Sequence, residues 1–330
     1  MTTTPTITRT ITQTIAQTLT PDWQTLSPDT FLLGESPFWH PREQTLYWVD
    51  IPGKKVCRAN VYKGTVDSWD MPSEPGCIAP AASGGLVIAR RDGVFRAREW
   101  RGELELVTTL PYDPATVRAN DGKCDALGRF WVGTIDEPKA SLAGALFSID
   151  CSGGRAPLVQ RHAGDALTGN GLGWSPDGRT TYWSDTPNHV IHAWDFDVQA
   201  NMLSAHSIFQ QLSPKPADWQ WDAPRTNGLP PYKGRPDGAA VDLEGNYYTA
   251  MFEGQRICKF APDGRLLAEI AVPAMCPTMP CLGGEDGKTL YVTTARYKRS
   301  AQELAAFAQS GCVFSTRVEV PGLPVNFFAD

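Results

Sequence analysis

One short pattern recurs six times along the chain. A polar turn carrying Gly or Asp is followed by a run of aromatic and β-branched residues, at 46–50, 86–89, 129–134, 181–185, 246–250 and 290–294. Each run is too short for a helix and suits a pleated surface. A second run follows after a further turn, at 56–61, 93–96, 145–149, 190–194 and 256–260. The unit is therefore strand, turn, strand, turn, strand. Six such units, spaced by roughly 40–65 residues, match the period of propeller blades. The sequence predicts an all-β protein, a six-bladed β-propeller over residues 26–330. A hydrophobic fraction of 42% supplies the core this needs.

Two segments fall outside the repeat. Residues 1–25 begin Thr-rich and read as a flexible N-terminal tail. The longest gap between copies holds residues 210–235, rich in Pro, Asp, Trp and Gly. It reads as an inserted surface loop leading into a candidate site residue. The one amphipathic helix candidate lies near 301–309.

Aligning the copies on their aromatic residues brings out four polar side chains. Glu35 lies 13 positions before Trp48, and Asn170 lies 13 before Trp183. Asn120 lies 11 before Trp131, and Asp237 lies 11 before Tyr248. Equivalent positions of successive blades converge on one axis, so these four are expected to ring one mouth of the central channel. The other two blades offer Ile78-Ala79 and Cys281-Leu282 near this slot. Facing carboxylates and amide oxygens suit a hard divalent cation such as Ca²⁺, Mg²⁺ or Mn²⁺. Zn²⁺ or Fe²⁺ would lack its usual His or Cys support. So few protein ligands leave open positions, which is a catalytic arrangement. Asn120-Asp-Gly122, Asn170-Gly171 and Asp237-Gly238 are each also ordinary turn signals. Glu35, in Gly34-Glu-Ser-Pro37, has no such explanation.

Several segments together resemble the SMP-30/gluconolactonase/regucalcin-like family. They are Gly34-Glu-Ser-Pro-Phe-Trp39, Arg118-Ala-Asn-Asp-Gly-Lys-Cys-Asp125, Asn170-Gly-Leu-Gly-Trp-Ser-Pro-Asp177, Pro236-Asp-Gly238 and Leu290-Tyr-Val-Thr-Thr-Ala295. The resemblance implies a six-bladed propeller with one divalent metal, Ca²⁺ ahead of Zn²⁺, Mn²⁺, Mg²⁺ or Fe²⁺. By motif its ligands fall on Glu35, Asn170 and Asp237, and its substrate contacts on Arg118 and Asn120. The activity implied is metal-dependent hydrolysis of a sugar lactone, such as gluconolactone, xylonolactone or arabinonolactone, to the aldonic acid. Asp237 is the candidate general base. Asp136 and Glu137 lie near a slot where some members carry an acidic substrate contact, and neither is assigned. Asp121 and Asp185 are either orienters of the site or turn residues.

Two other activities stand beside this reading: a propeller hydrolase of aryl esters or phosphotriesters, and a non-catalytic calcium-binding propeller. Other chemistries lack their motifs. No G-x-S-x-G elbow or G-x-G-x-x-G loop occurs. His189 and His192, three apart on a strand, face opposite sides. The formal charge of −6, without a Lys/Arg stripe, argues against nucleic acid. No stretch is long and apolar enough to span a membrane, and the N-terminus lacks a signal-peptide core. Eight cysteines without a C-x-x-C pair read as buried free thiols. Together these predict a cytoplasmic protein.

Overall fold

The computed structural model describes residues 16–154, 156–222 and 232–330. Six antiparallel sheets stand around one axis, numbered here as blades 1 to 6 in chain order. Their innermost strands are Gly34–His40, Pro75–Pro80, Val117–Cys124, Gly169–Trp174, Arg235–Val241 and Pro277–Gly283. Each packs on the next, and the last returns to the first.

The repeated aromatic pairs explain why the sheets stack face to face. Neighbouring residues on a strand point to opposite faces. Tyr47 accordingly enters the cluster between blades 1 and 2, and Trp48 the one between blades 6 and 1. Phe130 and Trp131, Tyr182 and Trp183, and Tyr247 and Tyr248 divide in the same way between the gaps on either side of their blades. A strand that is apolar on both faces must be covered on both. Six gaps, each filled by one cluster, are the closed solution. Trp48, Trp131 and Trp183 are at most 2% exposed. Each such side chain contributes about 2–3 kcal/mol of burial.

The ring is closed by the N-terminal segment, which corrects the expected flexible tail for its described part. Gln24–Thr25 pairs antiparallel with Phe314–Arg317 as the outer strand of blade 6. Gln17–Leu19 runs parallel along Leu266–Ala271 at the edge of blade 5. Trp23 anchors the join. Its indole N–H donates to the Ala271 carbonyl at 2.6 Å, and its ring meets Phe314 edge-on. Residues 1–15 lie outside the described residues.

The connection between blades 4 and 5 runs from 212 to 234, close to the expected insert, and 223–231 lie outside the described residues. Its first part lies at the end of the barrel where the innermost strands begin. There Lys215 bonds Glu253 at 2.8 Å, and Trp221 packs on Phe307. The short helix is Ala301–Ala306, capped by the Ser300 hydroxyl, which accepts from the Glu303 N–H. All eight cysteines are unpaired, and all but Cys151 are buried. No described helix is long and apolar enough to cross a membrane.

Candidate active site

Every innermost strand slips its ladder by one residue against its neighbour. The slip falls between Glu35 and Phe38, Pro75 and Cys77, Ala119 and Gly122, Asn170 and Gly173, Pro236 and Ala239, and Pro277 and Met279. Such a bulge bends the strand and re-aims its side chains. Glu35 and Asn170 immediately precede the bulge, whereas Asn120 and Asp237 open it. All four are at most 7% exposed. In blades 1 and 4 the next residue has a left-handed backbone: Ser36 at φ 50° and Gly171 at φ 62°. Gly171 has no room for a side chain, since a Cβ there would sit 2.4 Å from the Tyr247 hydroxyl. Ser36 tolerates the conformation because its hydroxyl accepts from the Ile78 N–H at 3.0 Å, tying blade 1 to blade 2.

The spacing argument placed Ile78-Ala79 and Cys281-Leu282 in the remaining two slots. The ladders place Gly76 and Thr278 there instead. Turn lengths differ between blades, so a count back from the aromatic run drifts. Gly76 packs so tightly that a Cβ would meet the Ala119 carbonyl at 2.4 Å. Thr278 spends its hydroxyl proton on the Gly34 carbonyl or on Thr293.

Hydrogen bonds fix how both amides are turned. Thr186 has one hydroxyl proton and donates it to the Pro236 carbonyl at 2.7 Å. Toward Asn170 it must therefore accept, so the atom 2.8 Å away is Asn170 Nδ2. Asn170 Oδ1 is thereby turned to Asn120, whose Nδ2 donates to it at 2.7 Å and to the Gly169 carbonyl at 3.0 Å. Asn120 Oδ1 in turn accepts from Arg118 Nη1 at 2.9 Å. Arg118, Asn120 and Asn170 form one chain of contacts ending beside the strand of Asp237.

Among the described residues the two carboxylates have no side-chain partner, only the Ser36 and Gly238 N–H groups beside them. Glu35 Oε2 is buried without a hydrogen bond. Burial, then the nearby charges of Asp237 and Asp121, hold the Glu35 carboxyl well above the ordinary range. Burial raises Asp237 to about 8, with Asp121 adding to the rise and Arg235 and Lys139 opposing it. Two carboxyls this close and this dry resist ionising together unless a cation joins them.

Deeper in the channel, Lys123 spans three blades. Its ammonium donates to the carbonyls of Leu172 at 2.7 Å and Ala239 at 2.5 Å. It supplies the countercharge to Asp121, which accepts from the Leu172 N–H at 2.9 Å. Sequence reasoning passed over Lys123. Its available signal was a lysine inside an innermost strand, three residues after Asn120. Asp185 staples the preceding loop through the Leu167 and Thr168 N–H groups. Asp136 caps the hairpin at 137–143 through Ala140 and Ser141, while Glu137 faces Arg118 at 3.4 Å and Arg91 at 2.8 Å. Of the two acids near the substrate slot, Glu137 is thus the one beside Arg118.

The donors fit a hard divalent cation. Among the described residues no three His, Cys, Asp or Glu side chains cluster as a metal site. The set here is two carboxylates and the oriented oxygen of Asn170, all hard oxygen donors. Glu35 Oε2, buried and unpartnered among the described residues, is available to such an ion.

Residues 33–296 match the family model described as SMP-30/Gluconolactonase/LRE-like region. The chain is 40% identical over 299 residues to 6-deoxy-6-sulfogluconolactonase of Pseudomonas putida, covering 90% of this chain and 95% of that one. It is 32% identical to regucalcin of Danio rerio, covering 88% and 93%. Among solved structures it superposes on regucalcin of Agrobacterium tumefaciens, described as a calcium-binding protein. That match has a TM-score of 0.84 at 25% identity and covers 95% of this chain and 99% of that one. With four-fifths of its length inside the family model and such relatives along nearly all of it, the chain belongs to the SMP-30/gluconolactonase/LRE-like family.

Proposed function

We propose that the protein hydrolyses a lactone of a sugar acid, using one divalent ion held by Glu35, Asn170 and Asp237. The observation that carries this is the pair of buried carboxylates of Glu35 and Asp237, set beside the oriented Asn170 amide oxygen and the Arg118–Asn120 pair. The relatives support it. One at 40% identity is named a sugar-acid lactonase, and a structural neighbour is described as calcium-binding. Hard oxygen donors favour calcium over zinc or iron.

When bound, such an ion supplies Lewis-acid polarisation and favours ionised water. The residues do the rest. Asp237 takes a proton from the attacking water as the new C–O bond forms. It returns that proton to the ring oxygen as the ester bond breaks, leaving the aldonic acid. A carboxylate that ligates through one oxygen keeps the other for this transfer. Arg118 donates to the sugar or to the developing oxyanion. Asn120, with both amide protons engaged, holds Arg118 and Asn170 in place.

The test is turnover of an aldonolactone panel and of paraoxon after EDTA treatment, with metals returned one at a time. Aldonolactone hydrolysis is expected to vanish with EDTA and return with calcium, with paraoxon a poor substrate. Undiminished turnover in EDTA would remove the metal from the account. An inert wild type under every metal would favour a binding propeller.

A further inference from the structure

We infer that Arg235 and Lys139 form an anion subsite beside Asp237, so that the preferred lactone carries a sulfonate or phosphate group away from its carbonyl. This rests on the lactonase reading above.

The argument begins with unmatched charge. Arg235 lies two residues before Asp237 on the innermost strand of blade 5, with its guanidinium over the Phe252 ring. Among the described residues its one ion pair is long, 3.7 Å to Glu253. Glu253 is already satisfied. It accepts from Lys215 on both oxygens at 2.8 Å, from Arg299 at 3.1 Å and from Tyr232 at 3.2 Å. Arg235 is therefore surplus to the one acid it pairs with, and its other acidic neighbour is Asp237 itself. Lys139 stands exposed on the 137–143 hairpin of blade 3 with a left-handed backbone. Among the described residues its ammonium has no hydrogen bond or ion pair, yet it feels the charges of Arg235, Asp237, Asp185 and Arg118.

The other charges at this mouth have partners, Asp185 through the Leu167 and Thr168 N–H groups and the Asn188 amide. Arg91 and Arg118 face Glu74 and Glu137. Lys215 and Arg299 face Glu253 and Glu303. Asp121 faces Lys123. A divalent ion would match Glu35 and Asp237. Two cations from different blades remain, and they repel each other until an anion joins them.

A third group points the same way. His189 Nε2 accepts from the Lys215 N–H at 3.2 Å, so the neutral ring carries its proton on Nδ1. That Nδ1–H is buried without a partner, on a residue 4% exposed that feels the charge of Arg235. A buried donor beside surplus cations is matched by the oxygens of a strong-acid anion. Arg235 lies two residues before Asp237 on one strand, which puts such an anion within reach of a lactone held at Asp237.

The experiment compares three lactones on the metal-loaded enzyme: gluconolactone, its 6-phosphate and its 6-deoxy-6-sulfonate. The wild type is expected to prefer one charged lactone by about a hundredfold in kcat/KM, mostly through KM, and added salt should erode the preference. Which charged lactone leads distinguishes phosphate from sulfonate. Lys139→Gln and Arg235→Gln should each cut that preference about tenfold. In parallel, 6-phosphogluconate or its sulfonate analogue should raise the wild-type melting temperature more than gluconate does, and Lys139→Gln should shrink the difference. Equal turnover of neutral and charged lactones would overturn the subsite while leaving the lactonase reading intact. So would variants that slow all three lactones equally, since the cations would then serve Asp237 alone. An enzyme inert toward all three would overturn both readings.

Discussion

Asp237→Asn is expected to lower lactone turnover about a thousandfold and, in the same protein preparation, to raise stability in EDTA. The two effects have one cause. The carboxylate supplies both the base and one ligand, and general-base catalysis alone is worth about 10²–10⁴. Without an ion, however, the same group is a buried carboxyl whose ionisation burial, Glu35 and Asp121 oppose. Asparagine keeps the shape and removes the charge. Turnover and thermal melting of wild type and variant, each with EDTA and with calcium, check both halves. A variant that loses activity and also melts below wild type in EDTA would show Asp237 to be a scaffold residue.

The second large effect is a pH dependence that calcium erases. Asp237 sits at about 8 in the folded chain, against an ordinary 3.8. Between those values the folded state holds a proton that the unfolded state has released. Stability therefore falls as pH rises through this window and levels off above the folded value. From pH 5 to pH 8 the loss amounts to ~4 kcal/mol, at about 1.4 kcal/mol per pH unit. Histidines act in the opposite direction between about pH 4 and 6.5, the half-buried His162 among them, held at about 4 chiefly by burial. The informative quantity is thus the difference between wild type and Asp237→Asn, which share those histidines. In EDTA, wild type should lose stability relative to the variant as pH rises, measured by urea unfolding at pH 5, 6, 7 and 8. Saturating calcium, which binds the ionised form, should flatten the difference. Parallel curves in EDTA would mean that Asp237 is ionised throughout.

The fold was legible because its driving force is local and repeated. A strand carrying Tyr47 and Trp48 side by side has no exposed face to offer, and five more copies say the same. The closing strands were not legible. Gln17–Leu19 and Gln24–Thr25 are exposed edge strands without apolar alternation. They dock because Trp23 finds Ala271 and Phe314, which lie far away in sequence.

The grouping of Glu35, Asn120, Asn170 and Asp237 was readable from spacing, although the underlying device is the shared bulge. Counting failed in blades 2 and 6, where Gly76 and Thr278 offered no carboxylate or amide to mark the slot and turn length shifted the register. Lys123, Lys139 and Arg235 gave still less warning. One lies deep in a strand, one on a hairpin and one at a strand end, and only closure of the ring brings their charges to the axis.

Titration calorimetry of calcium into metal-free protein bears most directly on the cation cage. Wild type should take up one equivalent. Glu35→Gln combined with Asp237→Asn should take up none while keeping the wild-type circular dichroism and a cooperative melt. One equivalent bound by the folded double variant at wild-type affinity would contradict the account.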